Sequence, residues 1–151
     1  MVPCEIVPYA PALLSQVYEI ERTSFSDPWS AASLHDTAMR EDSIFYVALV
    51  DGIPCGFGCV LTVAGEGELV DIAVSPTHRQ NGIGQQLMTA LLDAAGGAGC
   101  KQLYLEVRAS NEPAKRLYQA NGFWEIGIRK RYYREPVEDA VLMLRTADTE
   151  N

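Results

Sequence analysis

Residues 69–92 read LVDIAVSPTHRQNGIGQQLMTALL, and this stretch determines how the rest of the chain is organised. Residues 69–74 form an apolar run broken only by Asp71, which predicts a central strand covered on both faces. Pro76 ends that strand, because it has no N–H to donate to a ladder. Apolar residues then recur at a helical spacing through residues 83–92. The stretch therefore predicts a strand, a glycine-containing corner and an amphipathic helix.

The corner between strand and helix has the features of an anion-binding site. A helix start leaves about four backbone N–H groups unpaired and carries roughly half a positive charge. Gly82 and Gly84 lack the side chains that would keep a bulky anion, such as a pyrophosphate, away from those groups. The glycines do not follow the GxGxxG order, and the Lys-Ser/Thr end of a P-loop is absent. A glycine-containing helix entry without a ligand is the alternative.

The same corner resembles a known signature. Arg79-x-x-Gly82-x-Gly84 after a buried strand is similar to the acetyl-CoA motif of the GNAT superfamily of N-acetyltransferases. Four further strings narrow the resemblance to the ribosomal-protein alanine N-acetyltransferase family (RimI): LYLEVRASN at 103–111, LYQANGF at 117–123, PWS at 28–30 and RYY at 131–133. The resemblance covers nearly the whole chain. It implies acetyl-CoA as co-substrate and direct transfer of acetyl to the N-terminal alanine of a small-subunit ribosomal protein.

Composition sets bounds on the function. The 151 residues suggest one domain, 1–151, with a sizeable core. The net charge of -8 argues against nonspecific nucleic-acid binding and would favour a basic partner such as a ribosomal-protein tail, although such acidity also simply keeps a protein soluble. No run of about 18 apolar residues and no secretory signal is present. Four cysteines without a CxxC pair and two histidines predict no metal site and reduced thiols in a cytoplasmic protein with no membrane partner.

Hydrophobic periodicity and turn residues predict an α/β (α+β) protein. Predicted strands are 5–9, 43–50, 53–63, 69–74, 101–108, 123–133 and 140–144, and a turn covers 64–67. Predicted helices are 11–25, a second one to about residue 40 that is capped by Ser30, 83–95, and a fourth one that starts at 111–113 and ends at 121–122. The unit from strand 69–74 through its helix to strand 101–108 is a right-handed crossover, so these two strands should be parallel. The expected architecture is a single mixed, mostly antiparallel sheet with helices on both faces. The resemblance implies the GNAT fold, in which this central parallel pair splays apart.

The resemblance also implies where acetyl-CoA binds. The pantetheine arm would pair with the backbone of Ile72, Ala73 and Val74, and the Val74 N–H would face the thioester oxygen. Backbone N–H groups of the corner would hold the pyrophosphate; these belong to Arg79, Gln80, Asn81, Gly82, Ile83, Gly84 and Gln85. Asn111 would contact the cofactor or merely cap its helix, and the two roles are compatible.

Two side chains are candidates for the chemistry. Glu106 lies on the polar face of its strand and matches the family's catalytic glutamate, which implies a general base acting directly or through water. An ion pair with Arg108 or a solvated strand face is the alternative. Tyr118 matches the family's tyrosine that serves the leaving CoA thiolate. Because Tyr has a pKa of about 10 against about 8.5 for a thiol, it would mainly hydrogen-bond the thiolate. A helix tyrosine packed on the sheet is the alternative.

The acceptor side is less defined by the sequence. The resemblance places Trp29, Tyr132 and Tyr133 beside the acceptor groove, whereas a packing anchor and ordinary strand aromatics are the alternatives. An α-amine with a pKa of 7.7–8.0 is roughly ten per cent free at pH 7, and a lysine less than about 0.1%. A modest base such as Glu106 therefore suits an N-terminal amine. Acetylation of lysine side chains or of a small-molecule amine, and a noncatalytic acyl-CoA-binding module, are the competing hypotheses.

Overall fold

The computed structural model describes residues 1–147 and contains seven strands and four α-helices within them. In chain order the elements are β1 (Glu5–Pro8), α1 (Leu14–Ser24), α2 (Ala31–Ala38), β2 (Ser43–Val50), β3 (Ile53–Val63), β4 (Glu66–Val74), α3 (Ile83–Gly97), β5 (Gln102–Arg108), α4 (Glu112–Ala120), β6 (Trp124–Tyr133) and β7 (Glu138–Thr146). Short 3-10 turns precede α1 and α3, at Pro11–Leu13 and Pro76–His78. The predicted mixed α/β class is confirmed. The prediction of one domain over 1–151 stays a prediction.

The seven strands form one sheet in the order β1-β2-β3-β4-β5-β7-β6. Every neighbouring pair is antiparallel except β4 and β5, which are parallel as the crossover rule requires. Parallel pairing covers only Glu66 to Glu68 of β4 against Gln102 to Tyr104 of β5. The two strands then separate, so the expected splay is observed and opens a wedge beside residues 69–74.

Helices cover both faces of the sheet. On one face, α3 buries Met88 and Leu91 against Leu69 and Leu103. On the other face, α1 and α2 bury apolar side chains against the aromatic residues of β2 and β3. Leu91 approaches the sheet most closely at Gly58, where an added Cβ would lie 2.6 Å from its Cδ1 atom. Burial of these two clusters supplies most of the driving force that holds the helices in place.

The predicted turn over 64–67 was too long. Positive φ is confined to Ala64 and Gly65, while Glu66 already pairs with β3 and with Gln102 of β5. Two neighbouring strands thus extend β4 at its beginning. This extension provides the whole of the parallel pairing, and without it β4 and β5 would share no ladder.

Other boundaries differ by a few residues. Helix α3 continues through Gly97, because the left-handed turn that ends it comes only at Gly99, with φ +87°. Strand β7 is longer than the predicted 140–144, since it pairs with β6 at Glu138 and with β5 at Thr146. Within residues 1–147, no helix combines the length and the hydrophobicity that crossing a membrane requires.

Candidate active site

The wedge between β4 and β5 contains a cavity of about 950 Å³. Its lining comes from the α1–α2 loop, the end of β4, the glycine corner, the end of β5, α4 and the end of β6. Among the residues predicted from the sequence, the lining includes Trp29, Ile72, Ala73, Val74, Arg79, Gln80, Gly82, Ile83, Gly84, Glu106, Asn111, Tyr118, Tyr132 and Tyr133. The structure thus brings together residues that are more than a hundred positions apart in the chain.

Asn81 and Gln85 do not line the cavity. The Asn81 side chain donates to the carbonyl of His78 at 3.4 Å, and its own carbonyl accepts from the N–H of Val2 at 2.8 Å. The Gln85 amide makes a reciprocal pair with the Asn121 amide, at 2.9 Å in both directions. Each of these side chains thus holds neighbouring segments together, whereas the prediction concerned the backbone N–H groups, and for Asn81 it stays a prediction. A backbone role for Gln85 stays a prediction.

The start of α3 presents free donors to the cavity. The first bond of the helix runs from the N–H of Gln86 to the carbonyl of Gly82 at 3.1 Å, so the N–H groups of 83–85 have no acceptor within the helix. Gly82 has φ +80°, a conformation that favours glycine. At Gly84, an added Cβ would meet only ordinary contacts, 3.6 Å from Leu117 and 3.9 Å from Val74. Folding therefore does not require glycine at position 84, whereas close approach of a ligand would.

Arg79 ties the corner to its surroundings. Its Nε donates to the carbonyl of Val74 at 3.0 Å, and Nη2 donates to Ser24 Oγ at 3.2 Å. The exposed guanidinium thus connects the end of β4 with the end of α1. It also adds a fixed positive charge beside the N-terminus of α3, where the helix dipole already favours an anion.

Glu106 is held by residues of β6. Its Oε2 lies 2.7 Å from Arg129 Nε, and the interaction with this carboxylate is the main reason that the pKa of Tyr132 is raised. The expected alternative partner, Arg108, was wrong. Arg108 pairs instead with Glu138 at 3.3 Å, because the β6–β7 connection folds over it. Glu106 remains partly accessible, with 19% of its side chain exposed to solvent.

Tyr118 is buried at the cavity wall, with only 7% of the residue exposed. Its ring packs edge-to-face on Phe123, with the ring centroids 5.9 Å apart. Burial first, and then the charges of Asp71 and Tyr133, raise the pKa of Tyr118 well above its ordinary value. A hydroxyl with a raised pKa keeps its proton, which favours hydrogen-bond donation over complete proton transfer. Tyr118 packs in the core and also lines the cavity, and its role toward the leaving thiolate stays a prediction.

Part of the cavity lining is aromatic. The Tyr132 and Tyr133 rings meet edge-to-face at 5.1 Å, and the Arg108 guanidinium lies 4.6 Å from the centroid of the Tyr133 ring. Burial, followed by the charge of Glu106, raises the pKa of Tyr133 to about 12. Trp29, in the α1–α2 loop, lines the same cavity. The predicted position of these three side chains beside the acceptor groove, and their role in acceptor binding, stay predictions.

Asn111 both caps α4 and lines the cavity. Its Oδ1 accepts from the N–H of Ala114 at 3.2 Å, which is the predicted cap. The lining residues that the sequence predictions did not include comprise two acidic residues of neighbouring elements, Glu21 of α1 and Asp71 of β4. The single acidic residue in an otherwise apolar strand was the available signal for Asp71. Glu21 carried no signal of its own, because it occupied a position of the apolar stripe of its helix.

The chemistry of the cavity follows from its donors and acceptors. It offers a carboxylate, backbone N–H groups at a helix start, a buried hydroxyl and one unpaired edge of β4. Across the part of the chain that the structure describes, no group of three or more His, Cys, Asp and Glu side chains could hold a metal ion. The arrangement suits acyl transfer, in which an amine is deprotonated and an oxyanion is stabilised.

Comparison with known proteins gives a consistent picture. The Acetyltransferase (GNAT) family model matches residues 14–123. The chain is 34% identical over 132 residues to the ribosomal protein bS18-alanine N-acetyltransferase of Escherichia coli strain K12, covering 86% of this chain and 88% of that protein. It is 36% identical over 132 residues to the protein of that name from Haemophilus influenzae, covering 85% and 88%. The crystal structure of the ribosomal-protein-S18-alanine N-acetyltransferase from Escherichia coli matches with a TM-score of 0.91 and 30% identity, covering 99% of this chain and 97% of that one.

Proposed function

Because this chain belongs to the GNAT family of acetyltransferases, we propose that it transfers acetyl from acetyl-CoA to the N-terminal alanine of a small-subunit ribosomal protein. Relatives that are at least a third identical over most of their length are named for that reaction on ribosomal protein bS18. The observation that carries the proposal is the wedge, in which Glu106 and Tyr118 face one cavity beside the start of α3.

The residues that line the wedge fit acetyl-CoA, the co-substrate of GNAT acetyltransferases. Beyond Glu68, the edge of β4 that faces β5 has no strand partner, so its backbone groups are available to an extended amide-containing arm. The free N–H groups at 83–85 would hold the pyrophosphate, and Gly84 leaves room for it. Acetyl-CoA supplies the activated acetyl thioester when it is bound.

Amide formation from a thioester makes three demands, and each is met by a group of this chain. Glu106 would take the proton from the amine, directly or through one water, while Arg129 and Tyr132 hold its carboxylate in place. The Val74 N–H would stabilise the oxyanion, a contribution typically of about 3 kcal/mol. The Tyr118 hydroxyl would donate a hydrogen bond to the leaving thiolate. No side chain needs to form a covalent intermediate.

The pKa values of amines favour an α-amine as the acceptor, and the net charge of the chain favours a basic partner protein. At pH 7 an α-amine is roughly ten per cent unprotonated, whereas a lysine is less than about 0.1% unprotonated. Deprotonation by Glu106 is therefore easier for an N-terminal amine than for a lysine side chain. The net charge of -8 would also increase the encounter rate with a basic ribosomal protein.

The proposal is tested by following the release of CoA thiol with acetyl-CoA and two peptides. One peptide has a free N-terminal alanine from a small-subunit ribosomal protein, and the other has a blocked α-amine and an added lysine. We expect release with the first peptide only. Release with the second alone would keep the fold and the co-substrate but overturn the acceptor. Absence of release with both, despite acetyl-CoA binding, would favour a small-molecule amine or a noncatalytic module.

The role of Glu106 is tested in the same assay. Glu106→Gln should keep CoA affinity and lose about a hundredfold or more in kcat, as expected when a general base is removed. Glu125→Gln is the matched control, because it removes an exposed carboxylate of β6 that does not line the cavity. If Glu106→Gln and Glu125→Gln turn over equally, Glu106 has no part in the mechanism.

A further inference from the structure

Two carboxyl groups in the cavity wall, Glu21 and Asp71, each have one buried oxygen and have no role in the mechanism described above. Glu21 of α1 is only 2% exposed, and it is an acidic residue in a position where charged side chains are almost never found unpaired. Its Oε2 accepts from the backbone N–H of Trp29 at 3.0 Å. Its Oε1 is buried without a donor, and so is Oδ2 of Asp71; no other side-chain oxygen or nitrogen among the described residues is in this position.

The two carboxyl groups lie within hydrogen-bonding reach of each other. Ionised carboxylates only accept hydrogen bonds, so such a contact holds when one of the two groups keeps its proton. One shared proton would satisfy both unpartnered oxygens at once. The other titratable groups near Asp71 are Cys59, its partner in register on β3, and Tyr118 on α4; neither is a cation that could stabilise two negative charges. Burial, followed by the contact with Glu21, raises the pKa of Asp71 well above its ordinary value.

The pair connects the two sides of the cavity. On one side, Glu21 holds the backbone of Trp29, and residues 25–29 of the α1–α2 loop line the cavity. On the other side, Asp71 directly precedes Ile72, at the start of the segment expected to face the pantetheine arm. No other side-chain hydrogen bond within the described residues reaches Trp29. The pair therefore adds a polar link between this loop and β4, beside the bond from Arg79 to Ser24 and the packing of Trp29 on the core.

We propose that Glu21 and Asp71 share one proton and act as a positioning unit, which holds the α1–α2 loop against β4 and thereby sets the affinity for the acceptor amine. This inference rests on the proposed function. The cofactor side is held by other contacts, namely Arg79 to the carbonyl of Val74 and the packing of α3. Loss of the unit should therefore weaken acceptor binding and leave acetyl-CoA binding largely unchanged.

The test compares Glu21→Met with Glu21→Gln in the CoA-release assay with the alanine peptide. Both replacements have the length of glutamate, but only the amide can accept from Trp29 and donate to Asp71. We expect Glu21→Met to raise the KM for the peptide about tenfold, with kcat and the KM for acetyl-CoA changed less than about threefold. We expect Glu21→Gln to stay within about threefold of the unmodified protein in all three constants.

Asp71→Asn gives a second measurement that does not depend on whether Glu21→Met folds. The asparagine amide mimics a protonated carboxyl and donates to Glu21, so the KM for the peptide should stay within about threefold of the unmodified value. A KM for the peptide that rises more than about threefold in Asp71→Asn or Glu21→Gln would overturn the proposal that the two groups share a proton. An equal loss of acetyl-CoA affinity in Glu21→Met would overturn the positioning role. Absence of turnover in the unmodified protein would instead overturn the proposed function, and the inference with it.

Discussion

Gly84→Ala separates the demands of folding from those of ligand binding at the start of α3. The new Cβ would meet Leu117 Cδ2 at 3.6 Å and Val74 Cγ2 at 3.9 Å, which are ordinary van der Waals contacts. Alanine is the better helix former, by about 0.8–1.0 kcal/mol in a helix interior. We therefore expect the variant to fold, with a free energy of unfolding equal to that of the unmodified protein or up to about 1 kcal/mol higher.

The same methyl group should weaken CoA binding. It would project into the cavity beside the free N–H groups of 83–85, and hydrogen bonds to charged groups contribute about 1.5–3 kcal/mol each. Loss of one such bond corresponds to a CoA affinity about ten- to a hundredfold lower. Isothermal titration calorimetry with CoA measures the affinity, and urea unfolding measures the stability.

Gly96→Ala is the matched control for this experiment. Gly96 lies in the same helix with no atom within 4 Å of an added Cβ, so the variant should gain similar stability and keep its CoA affinity. If folded Gly84→Ala binds CoA as tightly as Gly96→Ala, the phosphates do not bind at this helix start. If Gly84→Ala is strongly destabilised, the space deduced from the 3.6 Å and 3.9 Å contacts does not exist.

Three further predictions concern Asp71, Tyr118 and Gly58. At pH values below about 3.9, Asp71 is protonated in both the folded and the unfolded chain. At higher pH the unfolded chain releases this proton and the folded chain keeps it. The free energy of unfolding should therefore fall by about 1.4 kcal/mol per pH unit until Asp71 ionises in the folded chain. Asp71→Asn should remove this slope in urea unfolding at pH 5, 6 and 7, and parallel curves for the two proteins would contradict the raised pKa. Tyr118→Phe should lower kcat about ten- to a hundredfold and change CoA affinity little, since its hydroxyl serves the thiolate; a weaker affinity with normal kcat would make it a binding residue. Gly58→Ala should destabilise the protein by about 1–3 kcal/mol, because the new methyl lies 2.6 Å from Leu91; an unchanged urea midpoint would show that the helix shifts freely.

Local patterns in the sequence were sufficient for most of the fold. Alternation of apolar residues with a period of two gave β5, in which Leu103, Leu105 and Val107 are buried as expected. A period near 3.6 gave α3, and the Asn111 cap marked the start of α4. These signals act between residues close in sequence, so they are visible without tertiary structure. Predicted boundaries were wrong where pairing with a neighbouring strand lengthened an element, as pairing with β3 and β5 does for β4 at Glu66.

The partners of the site residues were beyond the reach of such patterns. For Glu106 the sequence suggested Arg108, two positions away, only as an alternative ion-pair partner, and its cation is Arg129, which reaches across β7 from the edge strand. The spatial order of the strands in the sheet brings these two side chains together. That order depends on burial throughout the core. The motif predicts only a backbone contact for Gln85, and the bond of its side-chain amide to Asn121 could not be read from it.

The sequence by itself determined the elements, the glycine corner and the class of chemistry, because periodicity, glycine and chain direction dictate local backbone geometry. Tertiary structure alone decided where the parallel ladder stops and the wedge opens, and which groups face each other inside it. Glu21 and Asp71 show this most clearly: they are separated by fifty positions, and their contact exists only because α1 packs across the face of β4. A carboxyl group gains or loses its proton according to the charges and the solvent around it, and folding determines both.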